Sequence, residues 1–279
     1  MKICNIKREE AVHLAVYGPR GWVDATAAGF AGTMDEVIAG GCPDALKAMA
    51  QDETLPVVEE PVFANVVNRP DKLVCVGLNY EEHTANIDLK VPEQPVIFSK
   101  YTDCLCSSGD TVELPAWESS YDFEAELVIV MGREAFGVPE AEAADYIFGY
   151  TCGNDMSCRV PQFRSSQWLI GKTMPGFGPC GPCIVTADAY DPAEGKYIRS
   201  YVNGELRQDG STADMIFGCA RIVSYVSRYI HLRPGDLIFT GTPGGVALEG
   251  GEHVHRWLES GDRICVEIEG IGRLSNTLY

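Results

Sequence analysis

The sequence predicts a mixed, mostly β fold with few helices, and three observations carry that expectation. From Lys72 onward, short apolar runs bounded by turn residues recur: LVCVG, PVIFS, ELVIVMG, CIVTA, IRSYVNG, DLIFTG and ICVEIEG. Each is of strand length, and many are rich in Val and Ile. Asn203-Gly204, between IRSYV and ELRQ, is a hairpin signal, because that pair tolerates the positive φ angles of a type I′ turn. Helical periodicity is scarce. The clearest helix opens at Asp214, a suitable N-cap, and sets Met215, Ile216, Cys219, Ile222, Val223 and Val226 on one face. Pro139 heads a second, short one, PEAEAADY, with acidic residues in its first turn.

The first seventy residues have a different texture. A polar, basic start leads into the Gly- and Ala-rich GWVDATAAGFAGTMDEVIAGG and then the acidic DETLPVVEEP. They read as a small N-terminal domain, residues 1–70, packed against a main domain, residues 71–279, and they hold no catalytic constellation. A length of 279 residues accommodates this division and a substantial core.

Charge and composition exclude several classes. The 22 basic and 40 acidic residues give a net charge of −18, and phosphate backbones and anionic lipid both demand clustered Lys and Arg. Nucleic acid and membrane surfaces are therefore not expected partners. With 46% hydrophobic and 22% charged residues the chain has the composition of a folded domain. No apolar run reaches the length of a membrane span, and the charged start MKICNIKREEA holds no secretory signal, so a soluble, cytoplasmic protein is expected. Eleven scattered cysteines, an odd number, read as reduced thiols and not as a disulfide framework.

Chemistry-bearing residues concentrate in the middle of the chain. Glu124 and Glu126 lie two apart at the head of the apolar run LVIV, which on one strand directs both carboxylates to one face. Two like charges burying together invite a cation, and an all-oxygen set suits a hard divalent metal. The plainer alternative is a solvated strand edge. Asp155, in Gly153-Asn154-Asp155, offers a third carboxylate. Arg159, Gln162 and Lys172 follow with cationic and amide donors suited to a substrate carboxylate. His83, in GLNYEEH, stands among turn residues just after LVCVG, and histidine is the side chain best poised for proton transfer near neutral pH.

Taken in order, GLNYEEH, the EAEL run, Asn154-Asp155 with Ser157, Arg159 and Gln162, Gln167-Trp168 with Gly171-Lys172, Val202-Asn203-Gly204-Glu205 with Gln208, Met215-Ile216-Phe217, and Pro234-Gly235-Asp236 with Thr240-Gly241-Thr242-Pro243 resemble the fumarylacetoacetate hydrolase family. The resemblance spans roughly residues 71–279. It implies a C-terminal β-roll or barrel, a homodimer, and a site at the open end of the roll. It further implies Mg2+, Mn2+ or Ca2+ held by Glu124, Glu126 and Asp155, and a small-molecule 2-oxo acid as substrate. Tyr80, Arg159, Gln162, Lys172 and Thr242 would be substrate contacts, with Tyr80 preceding a lid that carries His83 as the acid/base residue and Lys172 adding positive charge at the reacting end.

The reaction implied is metal-dependent hydrolytic or lytic cleavage of a C–C bond in an acylpyruvate or fumarylacetoacetate-like 2-oxo acid, through an enolate. Isomerisation or decarboxylation of a 2-oxo dicarboxylate is the enzymatic alternative, and a catalytically silent ligand-binding relative the non-enzymatic one. Three departures bear on the choice: Asn86 where many members carry a glutamate three residues after the histidine, Val160 after the arginine, and Pro175 after the lysine. The first weakens the expectation of water activation.

Three letter patterns carry no expected function. Cys180-Gly181-Pro182-Cys183 matches a redox motif, but strand-like IVTA follows it where a helix is needed to lower the first thiol's pKa. Gly176 to Gly181 spells G-x-G-x-x-G, yet Pro179 and Pro182 exclude the helix of a dinucleotide site. His253-Val254-His255 lies in a Gly- and Glu-rich run and reads as a solvated loop.

Overall fold

In a computed structural model, which describes residues 1–86, 90–249 and 256–279, the apolar runs pair into an eleven-stranded and a five-stranded sheet. The spine is strand Ala125–Met131, buried throughout, which pairs antiparallel with Ile147–Asn154 on one side and Leu237–Phe239 on the other. Side chains alternate along it. Ala125, Leu127, Ile129 and Met131 join a core shared with Ile222, Val223 and Val226 of helix Cys219–Ser227 and with Ile198, Val266 and Leu274 of the smaller sheet. Val128 and Val130 join another core, shared with Val37 and Ile38 of helix Met34–Gly40 and Leu46 of helix Asp44–Gln51. Burial on both faces is why this segment reads as a continuous apolar run.

Residues 1–70 extend this same large sheet. Strand Lys2–Arg8 pairs with Gly178–Thr186, Ile3 opposite Ile184, and strands Ala11–Gly18 and Gly21–Asp24 continue outward. The sheet does not close on itself among the described residues: its order runs from Val57–Val58 at one edge to Val96–Lys100 at the other. The fold is thus an open, mixed arrangement of sheets and not a closed barrel. Asn203-Gly204 makes the expected turn between Tyr197–Val202 and Glu205–Ser211, with φ of 53° and 84°.

The two expected helices differ in detail. The main one begins at Cys219 with Gly218 as its N-cap, and Thr212–Asp214 forms only a 3-10 turn. The intervening residues are held extended by Asn79: its Oδ1 accepts from Phe217 N at 2.7 Å, and its backbone oxygen accepts from Ile216 N at 2.8 Å. Tertiary hydrogen bonds there override the helical periodicity. PEAEAADY is a 3-10 helix, Glu140–Tyr146, with Pro139 as the residue before its first turn.

Asn79 also donates to Phe217 O and Thr240 O at 3.0 and 2.7 Å, so one buried amide joins the start of the histidine-bearing segment to two other parts of the fold. Asn79→Ala leaves a buried N–H and two carbonyls short of partners, and a loss of about 2–4 kcal/mol in denaturant unfolding is expected.

Candidate metal and substrate site

The site is assembled at the end of the strand pair Ala125–Met131 and Ile147–Asn154, with Ala125 opposite Asn154 and Glu126 opposite Gly153. Glu126 lies on its strand, whereas Glu124 precedes it by one residue and Asp155 follows the partner strand. Asp155 N donates to Glu124 O at 2.9 Å, and Glu124 N donates to Asn154 Oδ1 at 2.9 Å. These bonds bring the three buried carboxylates together, with one ligand oxygen from each lying within 4.8 Å of the others.

Lys172, at the end of the short helix Leu169–Lys172, places Nζ 2.8 Å from Glu124 Oε2 and 2.9 Å from Asp155 Oδ2. Arg159 and Gln162 share one face of the helix Arg159–Gln162. Arg159 Nη2 lies 2.7 Å from Glu124 Oε1 and 2.8 Å from Asp122 Oδ2, and its Nη1 donates to Gln162 Oε1 at 3.0 Å. Burial raises the Glu124 carboxyl, but Lys172 and then Arg159 outweigh it and hold that carboxyl below its usual range. Among the described residues, the hydrogen bond made to Glu126 comes from Gly241 N, donating at 2.8 Å. Burial first, then Asp155 and Glu124, pushes its carboxyl well above the usual range.

A divalent cation fits this donor set. With all four ionised, Asp122, Glu124, Glu126 and Asp155 against Lys100, Arg159 and Lys172 sum to −4 + 3 = −1 in a buried volume, and among the described residues Glu126 is the carboxylate of the three with no salt bridge to a cation. A dication would turn that sum to +1, enough to favour an anionic substrate in a protein of net charge −18.

Gly241 is required at its position. Its φ is +98°, and a Cβ there would lie 2.7 Å from Asn79 Cβ, so only glycine brings this N–H to Glu126. Thr242 Oγ1 donates to Ala125 O at 2.9 Å and accepts from Gln208 Nε2 at 2.7 Å.

A cavity of about 390 Å3 opens onto this cluster, and among its lining residues are His83, Glu124, Glu126, Arg159, Gln162, Lys172 and Thr242. Asp155 and Tyr80 are not in the lining. Tyr80 is buried behind it and bridges Met215 through the backbone, and burial, followed by Glu126, raises its phenol well above the usual range. His83 stands on helix Glu81–Asn86 and is nearly buried.

Three residues that the sequence did not single out complete the arrangement. Glu249 contacts His83 Nδ1, accepts from Asn86 Nδ2 at 2.8 Å, and accepts from Gly245 N at 2.7 Å. The glutamate expected three residues after the histidine is thus replaced by one arriving from 166 positions away, and Asn86 serves to hold it. Its only sequence signal is that it is the lone acidic residue in GTPGGVALEG. Lys100, fully buried, contacts Asp155 and donates to Met156 O at 3.2 Å, and it continues the face of Val96 and Phe98, where a charge is unexpected. Asp122 accepts from Ala247 N and Leu248 N at 2.8 and 3.0 Å, so it anchors both Arg159 and the turn bearing Glu249.

Cys180 and Cys183 both lie in the buried strand Gly178–Thr186, and burial raises both thiols, that of Cys183 to about 12. Neither is expected to react with a thiol-specific disulfide reagent in the native protein at neutral pH, with labelling appearing only on denaturation. His253 and His255 lie outside the described residues.

Residues 72–279 match the family described as fumarylacetoacetate (FAA) hydrolase, C-terminal. The chain is 40% identical over 219 residues to the fumarylacetoacetate hydrolase domain-containing protein 2 homolog of Dictyostelium discoideum, covering 75% of this chain and 72% of that protein. It is 38% identical over 226 residues to the mitochondrial oxaloacetate tautomerase FAHD2A of Homo sapiens, covering 80% of this chain and 71% of that one. Among solved structures, the fumarylacetoacetate hydrolase of Exiguobacterium antarcticum superposes with a TM-score of 0.88 at 33% identity, over 100% of this chain and 99% of that one. The 2-hydroxyhepta-2,4-diene-1,7-dioate isomerase of Mycobacterium marinum gives 0.77, also at 33% identity, over 100% and 98%.

Proposed function

Because the chain belongs to the fumarylacetoacetate hydrolase family, we propose that it is a divalent-metal-dependent enzyme of 2-oxo acids that moves a proton between carbon and oxygen, a keto–enol tautomerase or isomerase. The observation that carries this reading is His83, backed by Glu249, lining the same cavity as the three-carboxylate cluster. Relatives named as a tautomerase and an isomerase support it.

Glu124, Glu126 and Asp155 would hold Mg2+, Mn2+ or Ca2+. When bound, such a cation supplies Lewis-acid polarisation of the 2-oxo group. The chain's own residues do the rest. An ionised Glu249 accepts from His83 Nδ1–H and leaves the Nε2 lone pair as a base. Nε2 takes a proton from the carbon next to the carbonyl, the C–H electron pair becomes the C=C bond, and the carbonyl π pair moves to oxygen, which solvent protonates. The reverse sequence gives ketonisation. Lys172 keeps one N–H beyond its bonds to Glu124 and Asp155 and brings positive charge to the developing enolate oxygen. Gln162 gives its carbonyl to Arg159 and keeps its amide N–H groups for a substrate oxygen.

A second reading, C–C hydrolysis of an acylpyruvate, is favoured by Glu249 itself, since a His–Glu pair is what activation of water requires. Family resemblance adds a homodimer to the proposal, which sedimentation velocity tests. The deciding experiment follows enol absorbance with Mg2+ or Mn2+ present and identifies the products. Enol loss without fragmentation supports the tautomerase. Two acids from an acylpyruvate support the hydrolase. Rates equal to buffer for every 2-oxo acid would end the enzymatic reading.

A further inference from the structure

Lys172 has a partner that the proton-transfer chemistry does not use. Its Nζ stands over the ring of Phe98, 5.3 Å from the centroid, and both residues line the cavity. A cation over an aromatic face is attracted by the ring's quadrupole, more strongly where water is scarce, and Lys172 is 2% exposed. At this distance the ring face acts on the ammonium charge as a whole and takes up none of its N–H groups.

The helix that bears Lys172 meets the same ring a second time. Trp168 is the residue before helix Leu169–Lys172, with helical dihedrals of φ −77° and ψ −15°, and it stands four positions ahead of Lys172. Residues at that spacing share one face of a turn. Trp168 packs edge-on to Phe98, ring centroids 5.4 Å apart and planes at 68°. It is seated against Gly77, where a Cβ would lie 2.6 Å from the indole ring. Gly171 holds the turn elsewhere, since a Cβ there would lie 2.5 Å from Cys158 O and Gln162 N. Close packing at these two glycines therefore fixes the turn from which Trp168 and Lys172 reach Phe98.

Strand Val96–Lys100 provides the ring. Phe98 and Lys100 lie two apart on it and share a face, so one strand sets Lys100 against Asp155 and Phe98 against Lys172. Glu124 and Asp155, which also hold Lys172, are the proposed metal ligands, and a bound cation would draw on the same oxygens. Phe98 lies outside that ligand set.

We propose that Phe98 is a positioning residue: met by Trp168 and Lys172 from one helical turn, its ring holds the Lys172 ammonium at the carboxylate cluster. The inference rests on the tautomerase reading for what that charge does, and on the Phe98–Lys172 geometry for where it is held. The ring takes part in no bond made or broken.

Graded fluorination tests this, because it withdraws electron density from the ring face while nearly keeping the ring's size. The full chain is loaded with Mg2+, and ketonisation of enol-oxaloacetate is followed. Monofluoro-, difluoro- and trifluoro-phenylalanine in place of Phe98 should lower kcat stepwise, by roughly 3- to 30-fold at the last. KM and the calorimetric Mg2+ affinity should each change by less than about 3-fold, since the charge acts on the developing enolate. A kcat equal to the parent's across the series would overturn the inference, because a packing role does not respond to the ring's charge distribution.

A second readout needs neither turnover nor metal. In the metal-free protein, isotope-labelled at the lysine ε-carbons, the ring current of Phe98 should displace the Lys172 ε-methylene signal, which Lys172→Arg identifies by its loss. Phe98→cyclohexylalanine keeps the shape without the π system and should return that signal to the ordinary lysine position. An unmoved signal would overturn the inference; if this variant does not fold, the fluorinated series decides. If the parent turns over no 2-oxo acid, the tautomerase reading falls, and the lysine signal alone decides whether Phe98 holds the ammonium.

Discussion

Glu126→Gln removes metal binding and, with it, activity, while the metal-free protein keeps its fold. Among the described residues Glu126 is the carboxylate of the cluster with no salt bridge to a cation, and burial followed by two like charges raises its carboxyl. Ionising such a group in the folded state costs stability that the unfolded chain does not lose, so the isosteric amide should leave Tm of the metal-free protein unchanged or raised. The parent should gain about 2.7 kcal/mol when metal is present at 100 times its Kd, and Glu126→Gln should gain none at that concentration. Calorimetric titration with Mg2+ or Mn2+ reads the same loss directly. Lewis-acid assistance is worth several kcal/mol, so kcat/KM should fall by about 1,000-fold or more. An unchanged metal affinity in this variant would remove Glu126 from the ligand set.

His83→Ala separates proton transfer from metal binding. It should lower kcat by roughly 100- to 10,000-fold, the range of general acid/base catalysis, and leave the metal titration as in the parent. Glu249→Gln should reproduce much of that loss, because an amide no longer secures the tautomer in which Nδ1 carries the proton and Nε2 the lone pair. The two groups act as one unit, so the double variant should be little worse than His83→Ala alone. Full additivity of the two losses would mean that Glu249 acts independently of the histidine. Asn86→Glu sets a second carboxyl group beside the histidine and removes the bond that Asn86 donates to Glu249, so activity should fall.

What could be read along the chain were features with short-range signatures. Short Val/Ile-rich apolar runs and a turn pair disclosed the β character. Two glutamates at spacing two and a nearby Asn-Asp pair disclosed the three carboxylates, because backbone geometry carries residues two apart to one face. Lys172, Arg159 and Gln162 lay close enough in sequence to be grouped with them.

Tertiary structure decided the matters in which partners are distant. A lone glutamate at position 249 reaches the histidine at position 83 only because Asp122 anchors the turn that bears it. Lys100 looks like the polar end of a strand until Asp155 is seen beside it. The start of helix Cys219–Ser227 was set by Asn79, whose hydrogen bonds hold Met215 to Phe217 out of the helix that their periodicity suggests. Sequence alone determined the kind of residues available for chemistry, since residue type and local spacing are properties of the chain. The pairing of charges and the histidine's partner depend on which segments the sheets bring within a few ångströms, and no local signal encodes that.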